Sequence, residues 1–267
     1  MKSKRMWHTA HAKEFVQVFD TLAARKGAWN VWQDFVFSTA IALSNYLEPN
    51  ADIKAKRKEE YLSIAKGYSE DEMKQLHQLA QITFNAYERN PQQDFLGELY
   101  MGMDFGSSWH GQYFTPWNVA YMMSQLSIQP NCELDETKGY VSVCDPCCGS
   151  GCMLIAAAAS YQGREEKRIY QNDMLFVGQD IDRVVALMCY IQLSALGCAG
   201  YVAVGNSISH PVGGHELFPT MEESGELWFT PMWYSPAWML RRFLLFSESE
   251  VTNKMESEGA SNALLHL

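Results

Sequence analysis

Tyr140-Val-Ser-Val-Cys-Asp145-Pro-Cys-Cys-Gly149-Ser-Gly151 is a short apolar, β-rich run that ends on a carboxylate and passes into a turn with two glycines. A small-residue helix over Met153 to Tyr161, with four consecutive alanines, is expected to follow. Leu175-Phe-Val-Gly-Gln179 reads as a second strand, Arg183 to Leu196 as a second helix, and Tyr201-Val-Ala-Val204 as a third strand. Leu227-Trp-Phe-Thr230 is a weaker fourth strand. Strand alternating with helix is the pattern of a parallel sheet with crossover helices.

Upstream, the period changes to that of helices. Phe15, Val18, Phe19 and Leu22 mark one helix face, and Trp29, Trp32, Phe35, Val36, Ile41 and Leu43 a second, heavily buried helix ending near Pro49. Lys54 to Lys66 reads as a short charged helix, its Lys54–Lys58 run as a solvated face. Ser69 three residues before Glu72 is a capping-box pattern that opens a helix through Tyr87. Asn90-Pro91 breaks it, and Asp94 to Met103 forms another. The organisation expected is a helical domain over 1–105, an α/β domain over 106–246 and a polar tail over 247–267.

The composition, 47% hydrophobic and 19% charged, is that of a globular chain, with no run long enough for a membrane span. Seven cysteines, an odd number without a regular framework, and no apolar segment behind the basic start point to reduced thiols and a cytoplasmic location. The net charge of −10 opposes general phosphate binding. It is uneven: residues 1–60 carry 10 basic against 7 acidic groups, and the remainder 11 against 24.

The turn after the first strand carries the chemistry. Its glycines let the chain bend tightly and leave room for a ligand against the backbone. Asp145 repels phosphate but accepts hydrogen bonds from an ammonium group, so a zwitterionic ligand with an amino-acid end fits better than a nucleotide phosphate. Neither a Walker loop nor G-x-G-x-x-G is present here.

Asp145-Pro-x-x-Gly149-Ser-Gly151 after a strand resembles the S-adenosyl-L-methionine (AdoMet) loop of adenine-N6 DNA methyltransferases, with most likeness to the modification subunits of type I restriction-modification systems. Gly111-Gln-Tyr113-Phe114-Thr115-Pro116 and the preceding Phe95-Leu-Gly-Glu-Leu-Tyr100 resemble two further segments of that family in the same order. The resemblance spans roughly residues 94–235 and implies a Rossmann-like methyltransferase sheet behind a helical domain. It implies that Tyr113, Phe114, Thr115 and Pro116 close over the methionine end of AdoMet. By that resemblance Asp145 would hold the amino group, and Pro146, Gly149, Ser150 and Gly151 would form the cradle. By the same resemblance Asp180 would receive the ribose hydroxyls, Ile181 would pack on adenine, and Asn206 with Ser207 would lie at the adenine edge. Asp180 follows Asp145 by 35 residues rather than the ~20 of a compact dinucleotide unit, the excess being the polar insert Gly163 to Asp173.

Cys144, Cys147, Cys148 and Cys152 crowd together, but two fall in a strand and a helix and two in the cofactor turn, so no metal is expected. The family's Asn/Asp-Pro-Pro-Tyr/Phe motif, which aims acceptors at the amine of a flipped adenine, occurs nowhere. By position its equivalent is Thr230-Pro231-Met232-Trp233, a hydroxyl replacing the amide or carboxylate and Trp233 offering a stacking face. About 35 residues follow, too few for the later strands of a full domain or for a target-recognition domain. Two readings stay open. One is an adenine-N6 DNA methyltransferase with an unusual catalytic loop, acting on DNA with a specificity subunit or other protein partner. The other is a catalytically silent AdoMet-binding or DNA-processing accessory protein.

Overall fold

The three apolar runs expected as strands lie side by side. In the computed structural model, which describes residues 7–105, 114–128, 138–162, 169–222 and 224–247, these are β1 (Val141–Asp145), β2 (Met174–Asp180) and β3 (Ala199–Val204). β2 pairs in parallel with both neighbours, Asp145 opposite Gly178 and Asp180 opposite Val204, so the carboxyl ends share one rim. The crossovers are α7 (Cys152–Gln162) and α9 (Arg183–Ala195), the latter started by Asp182, whose carboxylate accepts the Val184 N–H at 2.8 Å. Period-two alternation divides the strand side chains. Met174, Phe176 and Val202 face the helices, while Leu175, Val177 and Tyr201 pack on Leu217, Trp233 and Trp238.

The N-terminal run folds as α1 (Ala10–Lys26), α2 (Ala28–Leu47), α3 (Ala51–Lys66), α4 (Glu70–Arg89) and α5 (Phe95–Gly102). The capping box at Ser69 and Glu72 is formed in both directions. Phe15 meets Trp32, Phe35 and Phe95 edge to face at centroid distances of 5.3–6.0 Å. This aromatic cluster continues without a break through Tyr100 into Met188, Phe176 and Trp228. Residue 105 therefore separates two styles of local structure that share one core.

Three elements carried no clear signal: α6 (Trp117–Ser127), the single turn α8 (Tyr170–Asp173), and the antiparallel hairpin β4 (Gly213–His215)–β5 (Phe218–Thr220). A further helix, α10, spans 236–247. The fourth strand of the main sheet, β6 (Glu226–Phe229), runs against the other three. It pairs antiparallel with β3, Tyr201 opposite Phe229 and Val204 opposite Glu226. The described residues between β3 and β6 hold no helix, only the small hairpin, so nothing carries the chain back across the sheet. The chain leaves β3 and enters β6 at the same rim, and it has to run backwards.

The Lys54–Lys58 run is also not a uniformly solvated face. Arg57 is only 6% exposed. Its guanidinium donates to Glu48 at 3.0 Å, to Ser44 and to the Leu227 carbonyl at 2.9 Å, and lies 3.7 Å above the Trp228 ring. Arg183 makes a second clamp, donating to Glu226 at 3.0 Å and to Glu60 at 2.6 and 2.9 Å. Together they fasten β6 to α2, α3 and α9. No described helix is long and apolar enough to cross a membrane.

Candidate cofactor site

The turn after β1 is held in one shape by its own backbone and by β2. The Asp145 carboxylate accepts the Cys147 N–H at 3.1 Å, and the Gln179 carbonyl accepts the Cys148 N–H at 3.0 Å. Asp180 receives the Gly149 N–H at 2.9 Å and the Asp182 N–H at 3.0 Å. Gly151 sits at φ +93°, and a Cβ there would lie 2.7 Å from the Cys189 sulfur, so only glycine lets the turn rest on α9. Gly149, at φ +52°, faces the Phe114 ring at 3.3 Å from where its Cβ would be. Phe114 in turn stacks on Tyr100 at 5.3 Å.

Above this turn, at the carboxyl ends of the strands, lies a cavity of about 450 Å³, within the usual size of a small-molecule site. Phe114, Pro146, Cys147, Gly149, Asp180, Ile181, Val185, Asn206, Ser207 and Ile208 line it. Seven of the residues expected from sequence thus come together. Asp145, Thr115 and Pro116 stand just outside the lining; Tyr113 lies outside the described residues. Ser150 departs from expectation, being 1% exposed and turned into the core. Cys147, Val185 and Ile208 are lining residues that sequence reasoning missed; in Cys147 the only signal was its place in the turn.

The polar groups suit AdoMet. Two carboxylates, Asp145 and Asp180, flank the glycine turn at the rim, where positive charge is attracted and phosphate repelled. Burial holds the Asp145 carboxyl above its usual range; the Cys147 N–H pulls it down and the charge of Asp180 pushes it up again. Asp180 keeps acceptor capacity beyond its two backbone bonds. The Asn206 carbonyl oxygen is taken by the Ile208 and Ser209 N–H groups, leaving its amide N–H to face a ligand. Ile181, Val185 and Ile208 offer apolar contact for a base.

Beneath the turn is a buried polar network that ties it to the helical region. Ser150 donates to Asp94 at 2.7 Å. The side-chain amide of Gln192 donates to Asp94 at 2.8 Å and to the Ser150 carbonyl at 2.6 Å, and its oxygen receives the Leu96 N–H at 2.8 Å and the Tyr87 hydroxyl. Asp94 also caps α5 by accepting the Gly97 N–H at 3.1 Å. The Phe95–Tyr100 segment therefore contributes to the site from below, through the residue just ahead of it.

The catalytic assignment of Thr230, Pro231 and Trp233 does not survive the reversal of β6. Thr230 follows the end of β6 that pairs with the start of β3, so it sits at the rim opposite the cavity. It is fully buried; its hydroxyl donates to the Cys198 carbonyl at 2.7 Å and accepts the Gly200 N–H at 3.1 Å. Pro231 opens a 3₁₀ turn, and Trp233 packs edge-on to Tyr201 at 5.7 Å beneath Arg242. These residues secure the sheet edge. Thr230→Val leaves both backbone groups unpartnered at about 1–3 kcal/mol each. Thermal melting should fall by several degrees while AdoMet affinity, read by calorimetry, stays at the wild-type value.

Among the described residues no cluster of three or more His, Cys, Asp or Glu could hold a metal ion. Cys144 and Cys147 are exposed, Cys148 and Cys152 buried.

No curated protein matches the sequence. Among solved structures, one assigned to the class I S-adenosylmethionine-dependent methyltransferases of Listeria monocytogenes is similar at 14% identity, over 86% of this chain and 70% of that one, with a TM-score of 0.42. Residues 92–216, which run from the Asp94 network through the glycine turn to the hairpin, match the family model of the N-6 DNA methylases, so this part of the chain resembles the adenine-N6 methyltransferases.

Proposed function

We propose that the chain binds AdoMet at the β1–β3 rim and serves methylation of adenine N6 in DNA, its own described residues supplying the cofactor half of the site. The observation that carries this is the pair of rim carboxylates around the glycine turn, with Asp180 gripping the Gly149 N–H at 2.9 Å. Asp145 would hold the methionine ammonium, Asp180 the ribose hydroxyls, Asn206 the adenine edge, and Phe114 the open side of the turn. AdoMet, when bound, supplies an activated methyl group. The protein's residues orient it and exclude water on the side of Ile181, Val185 and Ile208. DNA is the proposed substrate, a specificity subunit or other protein the proposed partner, and the cytoplasm the proposed location.

The position of Thr230 favours a second reading for the isolated chain. Adenine transfer needs acceptors aimed at the amine, and Thr230, buried at the opposite rim, does not supply one at the cavity. The chain alone is then an AdoMet binder without transfer. Incubation with methyl-labelled AdoMet and adenine-containing DNA, single- and double-stranded, separates the two. Label in N6-methyladenine would establish a complete enzyme; AdoMet binding without label would establish the cofactor half.

The raised pKa of Asp145 gives this binding a pH signature. An ammonium ligand needs the carboxylate, which is lost by protonation as pH falls through a value above the ordinary 3.8. AdoMet affinity should therefore weaken on acidification earlier than an unperturbed aspartate would allow. Asp145→Asn should bind weakly throughout, with that acid limb flattened. An identical pH profile in the variant would remove Asp145 from the site.

A further inference from the structure

Gln179 places an amide on a sheet face that is otherwise apolar. It alternates with Leu175 and Val177 along β2, on the side packed by Leu217, Trp233 and Trp238, and is only 4% exposed. A buried amide costs about 1–3 kcal/mol unless its polar atoms are paired, and here both are. Its nitrogen donates to the Gly205 carbonyl at 3.2 Å and to the His210 carbonyl at 3.0 Å, and its oxygen accepts the Val212 N–H at 3.2 Å. All three partners belong to one irregular segment, 205–212, which carries Asn206, Ser207 and Ile208 into the cavity lining. Within it the Asn206 side-chain oxygen accepts the Ile208 and Ser209 N–H groups, and its main-chain carbonyl accepts the His210 N–H at 2.8 Å. The direction of the Asn206 amide therefore follows the shape of the loop. The Gly205 N–H, donated to the Asp180 carbonyl at 2.9 Å, fixes only the start of this segment. The His210–Glu222 contact of 3.2 Å is solvent-exposed and adds little.

We propose that Gln179 is a positioning residue for AdoMet, holding the nucleobase wall of the cavity in register with the glycine turn. Its main-chain carbonyl accepts the Cys148 N–H at 3.0 Å and braces the turn, while its side chain braces the loop opposite. Between the two walls, Cys147 Sγ lies 3.9 Å from Ser207 Oγ. The proposal rests on the cofactor reading given above and adds the residue that sets the affinity of its nucleobase end. A ligand that touches both walls binds more tightly when the loop is already in place, because ordering it on binding costs affinity. A side-chain change at 179 leaves the main-chain bond to the turn intact. Its effect therefore falls on the Asn206 side and spares the Asp145 side. A role confined to holding the fold would weaken both ends alike.

A double-mutant cycle on the full chain, read by calorimetry with AdoMet, tests this. Gln179→Met is similar in length and removes all three loop bonds; it should weaken AdoMet by about tenfold, as coupling within one network does. In an Asn206→Ala background the same change should cost less than about twofold, and in an Asp145→Asn background again about tenfold. Without ligand, Gln179→Met should quicken hydrogen exchange at Val212, Ile208 and Ser209 and leave the Cys148 N–H unchanged. Should this variant not fold, Gln179→Asn, one methylene short of the loop, carries the same cycle. Equal losses in all three backgrounds, or unchanged exchange at Val212, would overturn the proposal while wild-type binding upholds the cofactor reading. Absence of heat with the wild-type chain would overturn both.

Discussion

Asp94→Ala is expected to destabilise the protein by about 3–5 kcal/mol and to loosen the cofactor turn with it. Asp94 is 3% exposed and accepts three hydrogen bonds, from the Ser150 hydroxyl, the Gln192 amide and the Gly97 N–H. Alanine leaves all three donors buried without a partner and removes the N-cap of α5. It also cuts the link from the helical region to the glycine turn. Burial raises the Asp94 carboxyl above its usual range, against the pull of Gln192, Ser150 and Gly97. A folded-state pKa above the unfolded 3.8 means that the stability linked to Asp94 is complete below the unfolded pKa and is lost as pH rises through the folded one. Asp94→Asn removes that charge yet keeps an acceptor, so it should lie within about 1–2 kcal/mol of wild type, with a flatter pH dependence. Urea unfolding of the three proteins at acidic and neutral pH checks this. An alanine variant as stable as wild type would show that the network does not anchor the turn.

Asp180→Ala should act on the ligand rather than the fold. The carboxylate receives two backbone N–H groups at the rim and lines the cavity, so its loss removes the acceptors proposed for the ribose and frees the Gly149 N–H. Charged hydrogen bonds contribute about 1.5–3 kcal/mol each, so a loss of about 3 kcal/mol corresponds to AdoMet affinity roughly 100-fold weaker. Both N–H groups stand at an open rim where water replaces the lost oxygen, and unfolding should shift by only about 1 kcal/mol. Calorimetric titration gives the affinity and urea unfolding the stability. Unchanged affinity would place the ligand elsewhere, one other cavity being the 380 Å³ space between α3 and β6. That cavity is lined by Arg57 and Arg183, whose charges Glu48, Glu60 and Glu226 already answer.

What could be read in advance follows from how local each signal is. Strand–turn–helix at Val141–Gly151 is encoded by neighbours: apolar alternation, a terminal aspartate, and glycines at positive φ. The capping box at Ser69 and the buried face of α2 are equally local. The direction of β6 is not, since it depends on the absence of a crossover helix among the described residues of 205–225, and the apolar run Leu227–Phe229 is the same in either direction. That reversal moved Thr230 to the far rim. Arg57 looked solvated because its partners Glu48 and Leu227 are 9 and 170 residues away. The Asp94 network was hidden for the same reason, Ser150 and Gln192 lying 56 and 98 residues off. α6 escaped notice because its apolar stripe faces outward, against the rule that places helices by their buried side.

The central claim is that the rim of β1–β3 is an AdoMet site, and Cys147 gives a direct probe of it. Its thiol is exposed and lines the cavity. Titration of the full chain with AdoMet, followed by calorimetry and by maleimide labelling of Cys147 read by peptide mass, tests it in one sample. The account predicts one-to-one binding, competition by S-adenosylhomocysteine, and protection of Cys147 that saturates at the same ligand concentration as the heat. Absence of heat, or binding that leaves Cys147 fully reactive, would contradict it.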